Sequence, residues 1–246
     1  MAEQHYFLIA PGEGQRDVII LDGDEFRHCV KVCRARVGDV VKLLDGRGRI
    51  IDARIEHVGQ REARLGVLDV TTVAGPAPVD IALGMLKAPR LDLALEKCTE
   101  LGLRKLVVFA SARSTRRVER DDDGARLERM KRKLAAACKQ SGQPHLPDVK
   151  LVHGFEGLIE RLSPYAHIFL ADQESKRMTT NLARGAGAVL GIIGPEGGLD
   201  PEERGALLRH GAVPLGLGPT RLRSETAAIC LLYRLSSDMR ALCTGG

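Results

Sequence analysis

A glycine-rich stretch, GPEGGLDPEE from Gly194 to Glu203, combines the residue types of a ligand loop with an unusual density of acid. It follows the apolar run AVLGII and precedes RGALLRHG, so the pattern predicts a turn between a strand and a helix. Glycines at such a turn let the backbone approach a ligand closely and contact it through amide and carbonyl groups. The carboxylates of the stretch restrict what that ligand can be; they are Glu196, Asp200, Glu202 and Glu203.

Part of this acidity has a local explanation. Asp200, Pro201 and Glu203 occur in the order expected for the N-cap, first and third residues of a helix, a capping box with Asp in place of Ser or Thr. Glu196 is not explained by capping, and its charge would repel phosphate. The loop also lacks the GxGxxG spacing and the Gly-Lys-Ser/Thr of phosphate-binding loops. Two interpretations remain open: a nucleoside that carries a cation, such as S-adenosylmethionine, or a structural turn without a ligand.

The elements that would position this loop are those of an α/β protein. Apolar strands alternate with amphipathic helices beyond residue 78, and such alternation predicts a parallel sheet covered on both faces. Ligands bind beyond the carboxyl ends of the strands in such sheets. A second glycine-containing loop, GLGPTRLRSET from Gly216 to Thr226, follows another apolar run, and a helix is predicted from about Arg126 to Gln140. The predicted strands are VDIALGM, KLVVF, HIFLA, AVLGII and AVPLGL.

The first part of the chain has a different pattern. Short strands follow one another without long helices, which predicts a small barrel. DGRG, from Asp45 to Gly48, predicts a hairpin turn, and DEFRHCVKV, from Asp24, predicts a short capped helix. TTVAGPAP, from Thr71 to Pro78, predicts a linker, so we expect domains at 1–72 and 73–246. The predicted strands are YFLI, DVIIL, DVVKLLD, RIIDARIEHV and EARLGVLDV.

Charge is distributed unevenly along the chain. Residues 1–72 hold 11 Lys/Arg and 12 Asp/Glu, whereas residues 104–150 hold 13 Lys/Arg and 6 Asp/Glu. The basic segment is either a solvated helix face or a footprint for a phosphate backbone. With 3% aromatic residues and no Trp, base stacking on single-stranded RNA is not expected, and contacts to structured RNA are favoured.

The cysteine pattern and the apolar runs indicate the cellular compartment and whether a metal site is expected. The six cysteines are scattered, which favours reduced thiols over a disulfide framework. His28, Cys29 and Cys33 lack a second pair with ligand spacing, so we expect no metal site. No signal-peptide core and no membrane-length apolar run occur, so we expect a cytoplasmic protein.

The two glycine-containing motifs together, IGPEGGLDPEE and LGPTRLRSETAAI, resemble the SPOUT class of methyltransferases and most closely its RsmE family. Members of this family make N3-methyluridine in the decoding region of 16S ribosomal RNA. The resemblance covers nearly the whole chain through further matches, which are HCVKVCR with VGD, KAPRLDLALEKCTELG, ARSTRR and AAACKQSGQPHLP.

The resemblance implies an N-terminal PUA-like β-barrel that binds RNA and a C-terminal SPOUT domain with a parallel sheet and a deep trefoil knot. It also implies a homodimer, S-adenosylmethionine as cofactor, and 16S ribosomal RNA or the small ribosomal subunit as partner. The methyl donor would bind in the knot against the backbone of three loops, where side chains at Gly216 and Gly218 would crowd an adenosine. The implied cofactor-binding residues are Leu170, Ala171, Gly194, Glu196, Gly198, Leu199, Leu215, Leu217, Gly218, Leu222, Ser224 and Thr226.

The catalytic candidates follow from the position of the RLRSET motif, and the RNA-binding candidates are basic residues of the two expected domains. Arg223 is the candidate for stabilising negative charge that develops on the uracil, and Glu225 for orienting Arg223 or accepting the N3 proton. Alternatively, Glu225 only favours the first turn of a helix capped by Ser224. The candidate RNA-binding residues are Arg27, Lys31, Arg34, Arg36, Arg113, Arg116, Arg117 and Lys139.

The chain departs from the family at two places, which puts details of substrate contact in question. Thr220 and Arg221 stand where Arg and Ile are common, and Gln143-Pro144 stand where Arg-Asn is frequent. Three alternative functions also remain. They are methylation of a different RNA nucleotide, RNA binding without catalysis, and a nucleotide-dependent oxidoreductase, against which the missing phosphate loop counts.

Overall fold

A computed structural model describes residues 5–114, 123–180, 182 and 187–244 of the 246-residue chain. The chain divides into two compact units. The first comprises residues 1–75 and 135–146, and the second comprises residues 76–134 and 147–246.

The first unit contains a five-stranded mixed sheet in the order β1-β3-β4-β5-β2, which confirms the five predicted strands. β1 runs parallel to β3, and the remaining pairs are antiparallel. Alternate residues, including Phe7, Leu43 and Ile51, face a buried core. The strands are β1 Tyr6–Leu8, β2 Val18–Asp22, β3 Val40–Leu44, β4 Arg49–Val58 and β5 Glu62–Thr72.

The hairpin turn between β3 and β4 is confirmed. The buried Asp45 accepts hydrogen bonds from the Arg47 N–H at 2.8 Å and from the Arg49 N–H at 3.0 Å. The short helix is α1, Gly23–Arg27, followed by a π-helical turn from His28 to Val32. The prediction of a cap was wrong, because the Asp22 side chain at the N-cap position makes no capping hydrogen bond.

The second unit contains a six-stranded parallel sheet in the order β11-β9-β10-β6-β7-β8. Five of its strands were predicted. β8 was missed, since two of the five residues in its sequence DVKLV are charged and the strand lies at an edge of the sheet. The strands are β6 Val79–Gly84, β7 Lys105–Phe109, β8 Asp148–Val152, β9 His167–Ala171, β10 Val189–Ile193 and β11 Val213–Leu215.

Helices cover both faces of this sheet, as predicted. Alternate residues of β6 show this, because Ile81 and Leu83 pack with residues of α2 and α6, whereas Ala82 packs with residues of α4 and α5. The helix predicted from about Arg126 begins at Asp123. None of the helices in the described parts of the chain has the length and apolar character needed to cross a bilayer. The helices are α2 Ala88–Glu100, α3 Asp123–Ser141, α4 Glu156–Ile159, α5 Pro201–Arg209 and α6 Ser224–Thr244.

Candidate functional site

A cavity of about 620 Å³ lies at the carboxyl ends of β9, β10 and β11 in the second unit. Three loops line it, one after each strand, together with Arg90 of α2 and Arg204 of α5. The position agrees with the general rule for parallel sheets, and the volume suits a ligand of a few hundred daltons.

Most residues that the family resemblance places at the cofactor do line this cavity. Leu215 is instead buried within β11, and Thr226 is an exposed residue of α6; neither lines the cavity. Glu225 lies beneath the surface with its side chain 5% exposed and also does not line it. The predicted residues that line the cavity are Leu170, Ala171, Gly194, Glu196, Gly198, Leu199, Leu217, Gly218, Leu222, Arg223 and Ser224.

The glycine-rich loop, defined here as Gly194–Leu199, ends in the predicted capping box. Asp200 Oδ1 accepts from the Glu202 N–H at 3.0 Å, and the Asp200 N–H donates to Glu203 Oε2 at 2.9 Å. Within the loop, Gly198 has a φ of +75°, a conformation that favours glycine. Its N–H donates to Pro195 O at 2.9 Å and closes the turn.

The end of β6 presses directly against this loop. A Cβ placed on Gly84 would lie 2.4 Å from Pro195 N and 2.9 Å from Gly194 C, so only glycine fits there. The backbone at the end of β6 thus limits how closely the glycine-rich loop can approach it, and so fixes the position of that loop. No side chain separates the two.

Glu196, whose carboxylate helix capping does not explain, contacts the beginning of α2. Its Oε1 lies 3.4 Å from Arg90 Nη1 and accepts from the Lys87 N–H at 3.4 Å. Arg90 Nε also lies 3.9 Å from Glu225 Oε1, so one guanidinium lies between two carboxylates. The second oxygens of Glu196 and Glu225 are buried, and among the described residues neither receives a hydrogen bond.

Gly216 has a different role from the one expected. A Cβ there would lie 2.6 Å from Ser175 O and 2.8 Å from Met178 Sδ, and its N–H donates to Arg177 O at 2.8 Å. Gly216 therefore accommodates the protein's own chain and does not line the cavity. Gly218 does line it, and a Cβ there would meet nothing within 4 Å among the described residues.

Four arginines line the cavity, Arg90, Arg204, Arg221 and Arg223, together with three carboxylates, Asp172, Glu174 and Glu196. Arg204 Nη2 is paired with Asp172 Oδ2 at 2.6 Å. Arg223 is exposed, and within the described chain no carboxylate lies within 4 Å of it. Sequence reasoning missed Arg90 and Arg204. The only signal for Arg90 was its position in KAPR, directly after a strand that could neighbour β10.

The predicted RNA-binding residues of the first unit are mostly exposed. Arg27, Lys31, Arg34 and Arg36 are exposed on α1 and the segment that follows it. Lys139 differs, because its side chain is only 22% exposed and its Nζ forms an ion pair with Glu25.

In the second unit Arg113 is exposed, and its Nη2 lies 3.7 Å from Asp200 Oδ2. Arg116 and Arg117 lie outside the described residues. The described parts of the chain contain no cluster of His, Cys, Asp and Glu that could hold a metal ion.

The fold and the site define an RNA methyltransferase of two domains. Residues 74–236 match the model of an RNA methyltransferase domain, and residues 21–68 match that of an RNA methyltransferase PUA domain. The chain belongs to the ribosomal RNA small subunit methyltransferase E family.

Relatives with that name match over most of their length. The protein of Mycobacterium tuberculosis is 33% identical over 225 residues, which is 87% of this chain and 84% of that protein. The Bacillus subtilis protein is 28% identical over 233 residues, covering 90% and 91%. A crystal structure of the Neisseria gonorrhoeae enzyme bound to S-adenosyl methionine has a TM-score of 0.82 at 25% identity, covering 98% of both chains.

Proposed function

We propose that this protein transfers a methyl group from S-adenosylmethionine to N3 of a uridine in the 16S ribosomal RNA of the small subunit. The observation that carries the proposal is the cavity at the carboxyl ends of β9, β10 and β11, in a chain of this family. The related enzyme of Neisseria gonorrhoeae has been crystallised with this methyl donor.

The residues of the cavity fit a phosphate-free nucleoside. The open space over Gly218 allows a ligand to approach the backbone closely, and Leu170, Leu199, Leu217 and Leu222 offer apolar surface. The glycine-rich loop lacks the GxGxxG spacing and the Gly-Lys-Ser/Thr of phosphate-binding loops, and this donor carries no phosphate. When bound, S-adenosylmethionine supplies an activated methyl group on a sulfonium centre.

The chain's own contribution to catalysis would be alignment and charge stabilisation. The N3 proton of uracil must leave before or as the nitrogen attacks, which spreads negative charge toward O2 and O4. Arg223, an exposed cation on the lining with no carboxylate partner among the described residues, would stabilise that charge. Glu225 is paired with Arg90 and removed from the lining, which favours a supporting role in the first turn of α6 over direct proton transfer.

Single-turnover kinetics test the role of Arg223. Arg223→Ala should reduce the rate of methyl transfer about 100-fold, the typical effect of losing one preorganised charge partner, while donor binding persists. Arg209→Ala, which removes an exposed arginine of α5 away from the cavity, serves as the control. An unchanged single-turnover rate in Arg223→Ala would remove Arg223 from the mechanism.

RNA binding would be shared by the exposed basic residues of both units. Such contacts release counterions, so the affinity for the small subunit should fall steeply as salt rises. We further propose that the protein acts as a homodimer in the cytoplasm, where its ribosomal substrate is made. Sedimentation equilibrium measures the oligomeric state, and a monomer at micromolar concentration would contradict the dimer.

The function itself is tested with labelled S-adenosylmethionine and small subunits that lack the modification. We expect one methyl group on uracil N3 in 16S ribosomal RNA, located by mass spectrometry, with naked 16S RNA assayed in parallel. A methyl group on another nucleotide would change the substrate. Donor binding without any transfer would instead indicate an RNA-binding protein without catalysis.

A further inference from the structure

Glu203 lies in the first turn of α5 and is only 8% exposed. Its carboxylate accepts three hydrogen bonds. Its Oε2 accepts from Ser111 Oγ at 2.7 Å and from the Asp200 N–H at 2.9 Å. Its Oε1 accepts from the Ala112 N–H at 2.8 Å. The capping box accounts only for the bond from Asp200. The other two bonds hold the chain that follows β7.

That chain forms a closed turn, Ser111–Ser114, which we call the Ser111 turn. The Ser111 N–H donates to Ser114 Oγ at 2.9 Å, and the Ser114 N–H donates to Ser111 O at 2.9 Å. Because the turn is closed on itself, the two bonds from Glu203 fix the position of the whole turn. Arg113 lies at its centre, with its side chain 49% exposed.

The Ser111 turn also rests against the glycine-rich loop. A Cβ placed on Gly197 would lie 3.0 Å from Arg113 O, so the two backbones are in close contact and a side chain there would require a small shift. On its other side, Arg113 Nη2 lies 3.7 Å from Asp200 Oδ2. The arginine is thus held beside the loop that lines the cavity.

We propose that Glu203 is a positioning residue for the RNA substrate, one that holds the Ser111 turn so that Arg113 presents its charge beside the glycine-rich loop. The proposal rests on the proposed function. Hydrogen bonds to an ionised, buried carboxylate are strong and directional, which suits a residue that fixes a loop. An exposed glutamate would be enough for capping alone.

The chemistry of the carboxylate provides the test. A glutamine at this position has one acceptor oxygen and one NH2 group, whereas three donors converge on Glu203. If the amide oxygen takes the place of Oε2, the Ala112 N–H faces the NH2 group; if it takes the place of Oε1, the Asp200 N–H does. One backbone donor loses its acceptor in either orientation.

We expect Glu203→Gln to raise the apparent KM for small subunits about tenfold, since a displacement of about 1 Å can cost more than that. The dissociation constant for S-adenosylmethionine, measured by calorimetry, should stay unchanged. Glu202→Gln is the matched control, because it removes a neighbouring exposed carboxylate from the same helical turn. Equal KM values for the two variants would overturn the proposal.

A double variant separates positioning from general destabilisation. If Glu203 acts through Arg113, then adding Glu203→Gln to Arg113→Gln should not raise KM further, whereas multiplied effects would overturn the proposal. Ser111→Ala, which removes only one of the three bonds, carries the same test should Glu203→Gln fail to fold. The unmodified protein is assayed in parallel. If it does not methylate small subunits, the proposed function fails; if it does and the variants behave alike, only this inference fails.

Discussion

Arg90 Nη1 lies 3.4 Å from Glu196 Oε1, which links the beginning of α2 to the glycine-rich loop across 106 positions of sequence. The same guanidinium lies 3.9 Å from Glu225. Two largely buried carboxylates therefore depend on one cation that is itself about one-third exposed and lines the cavity. Removal of that cation would leave two acids in a poorly solvated place.

We predict that Arg90→Met lowers the free energy of unfolding by about 1–3 kcal/mol and weakens binding of S-adenosylmethionine by about tenfold or more. The predicted loss of unfolding free energy is smaller than that for breaking a fully buried ion pair, because water screens the partly exposed guanidinium. Urea unfolding and calorimetry measure the two effects. Arg90→Lys, which keeps the charge, should recover part of both.

Lys97→Met is the matched control for this prediction. It removes a cation from the same helix, where Lys97 pairs with the surface carboxylates of Glu96 and Glu100. Surface pairs of this kind contribute little to stability, so donor binding and unfolding should change little. Arg90→Met that behaves like Lys97→Met would show that the two carboxylates do not need Arg90.

The contact between Gly84 and Pro195 predicts a second effect on donor binding. In Gly84→Ala the added methyl group would lie 2.4 Å from Pro195 N, so backbone must move. We expect a loss of about 1–3 kcal/mol in the free energy of unfolding, as for an overpacked core, and weaker donor binding. Chemical denaturation and calorimetry on the same samples provide both values.

Gly66→Ala is the corresponding control in the first unit. Its methyl group would lie 2.3 Å from Glu56 Oε1, the end of a flexible side chain that can turn away. Donor affinity should therefore equal that of the unmodified protein. A loss of donor affinity in this variant as large as in Gly84→Ala would mean that the contact with Pro195 is not the cause.

The cysteines should differ widely in reactivity. Burial raises the pKa of Cys98 and of Cys138 to about 12, and burial together with nearby acidic groups raises that of Cys29 to about 11. Since the thiolate is the reactive form, iodoacetamide at pH 8 should leave these three unmodified in the folded protein. The partly exposed Cys33 and Cys230 should react before these three. Peptide mass spectrometry over time measures each rate, and native Cys98 reacting as fast as Cys230 would contradict the assignment.

Because of Tyr165, the free energy of unfolding should change with pH in the alkaline range. Its hydroxyl donates to Asp80 Oδ2 at 2.6 Å, and burial, followed by this hydrogen bond, raises the pKa of the phenol well above its usual value. The folded state therefore keeps a proton that the unfolded chain loses near pH 10. This contribution to stability is fully present below about pH 10 and is lost as pH rises above it.

Tyr165→Phe tests that dependence. At pH 8 the variant should be less stable by about 1–3 kcal/mol, because the buried Asp80 loses one donor. The difference in unfolding free energy should narrow between about pH 10 and pH 11, since only the unmodified protein carries the ionising group. A difference that stays constant over this range would show that the phenol does not keep its proton on folding.

The features that could be predicted from the sequence are those that neighbouring residues determine. Asp200, Pro201 and Glu203 form their capping box within one helical turn, and the strands β1 to β5 follow from alternation. Glu196 and Arg90 are different, because their contact depends on β10 lying next to β6 in the sheet. Spacing along the chain does not determine that order.

The same reason explains two other features that were missed. Asp80 lies inside an apolar strand and is only 2% exposed, but Arg104 and Tyr165 neutralise and satisfy it from distant positions. Gly216 resembles a ligand-contacting glycine in sequence, yet its partner is the chain at Ser175. A glycine at such a position predicts that another group lies close to its backbone. The sequence does not show whether that group is a ligand or another part of the chain.

The glycine-rich loop and the helix that follows it have consequences for protein engineering. Glu196 finds its partners after β6, and Glu203 finds two of its partners after β7. A chimera that imports only residues 194–203 from a relative would therefore bring two acids into a host whose matching donors come from elsewhere. Residues 194–203, the segment after β6 and the segment after β7 therefore form one unit. Loop exchange should succeed only when these three segments are moved together.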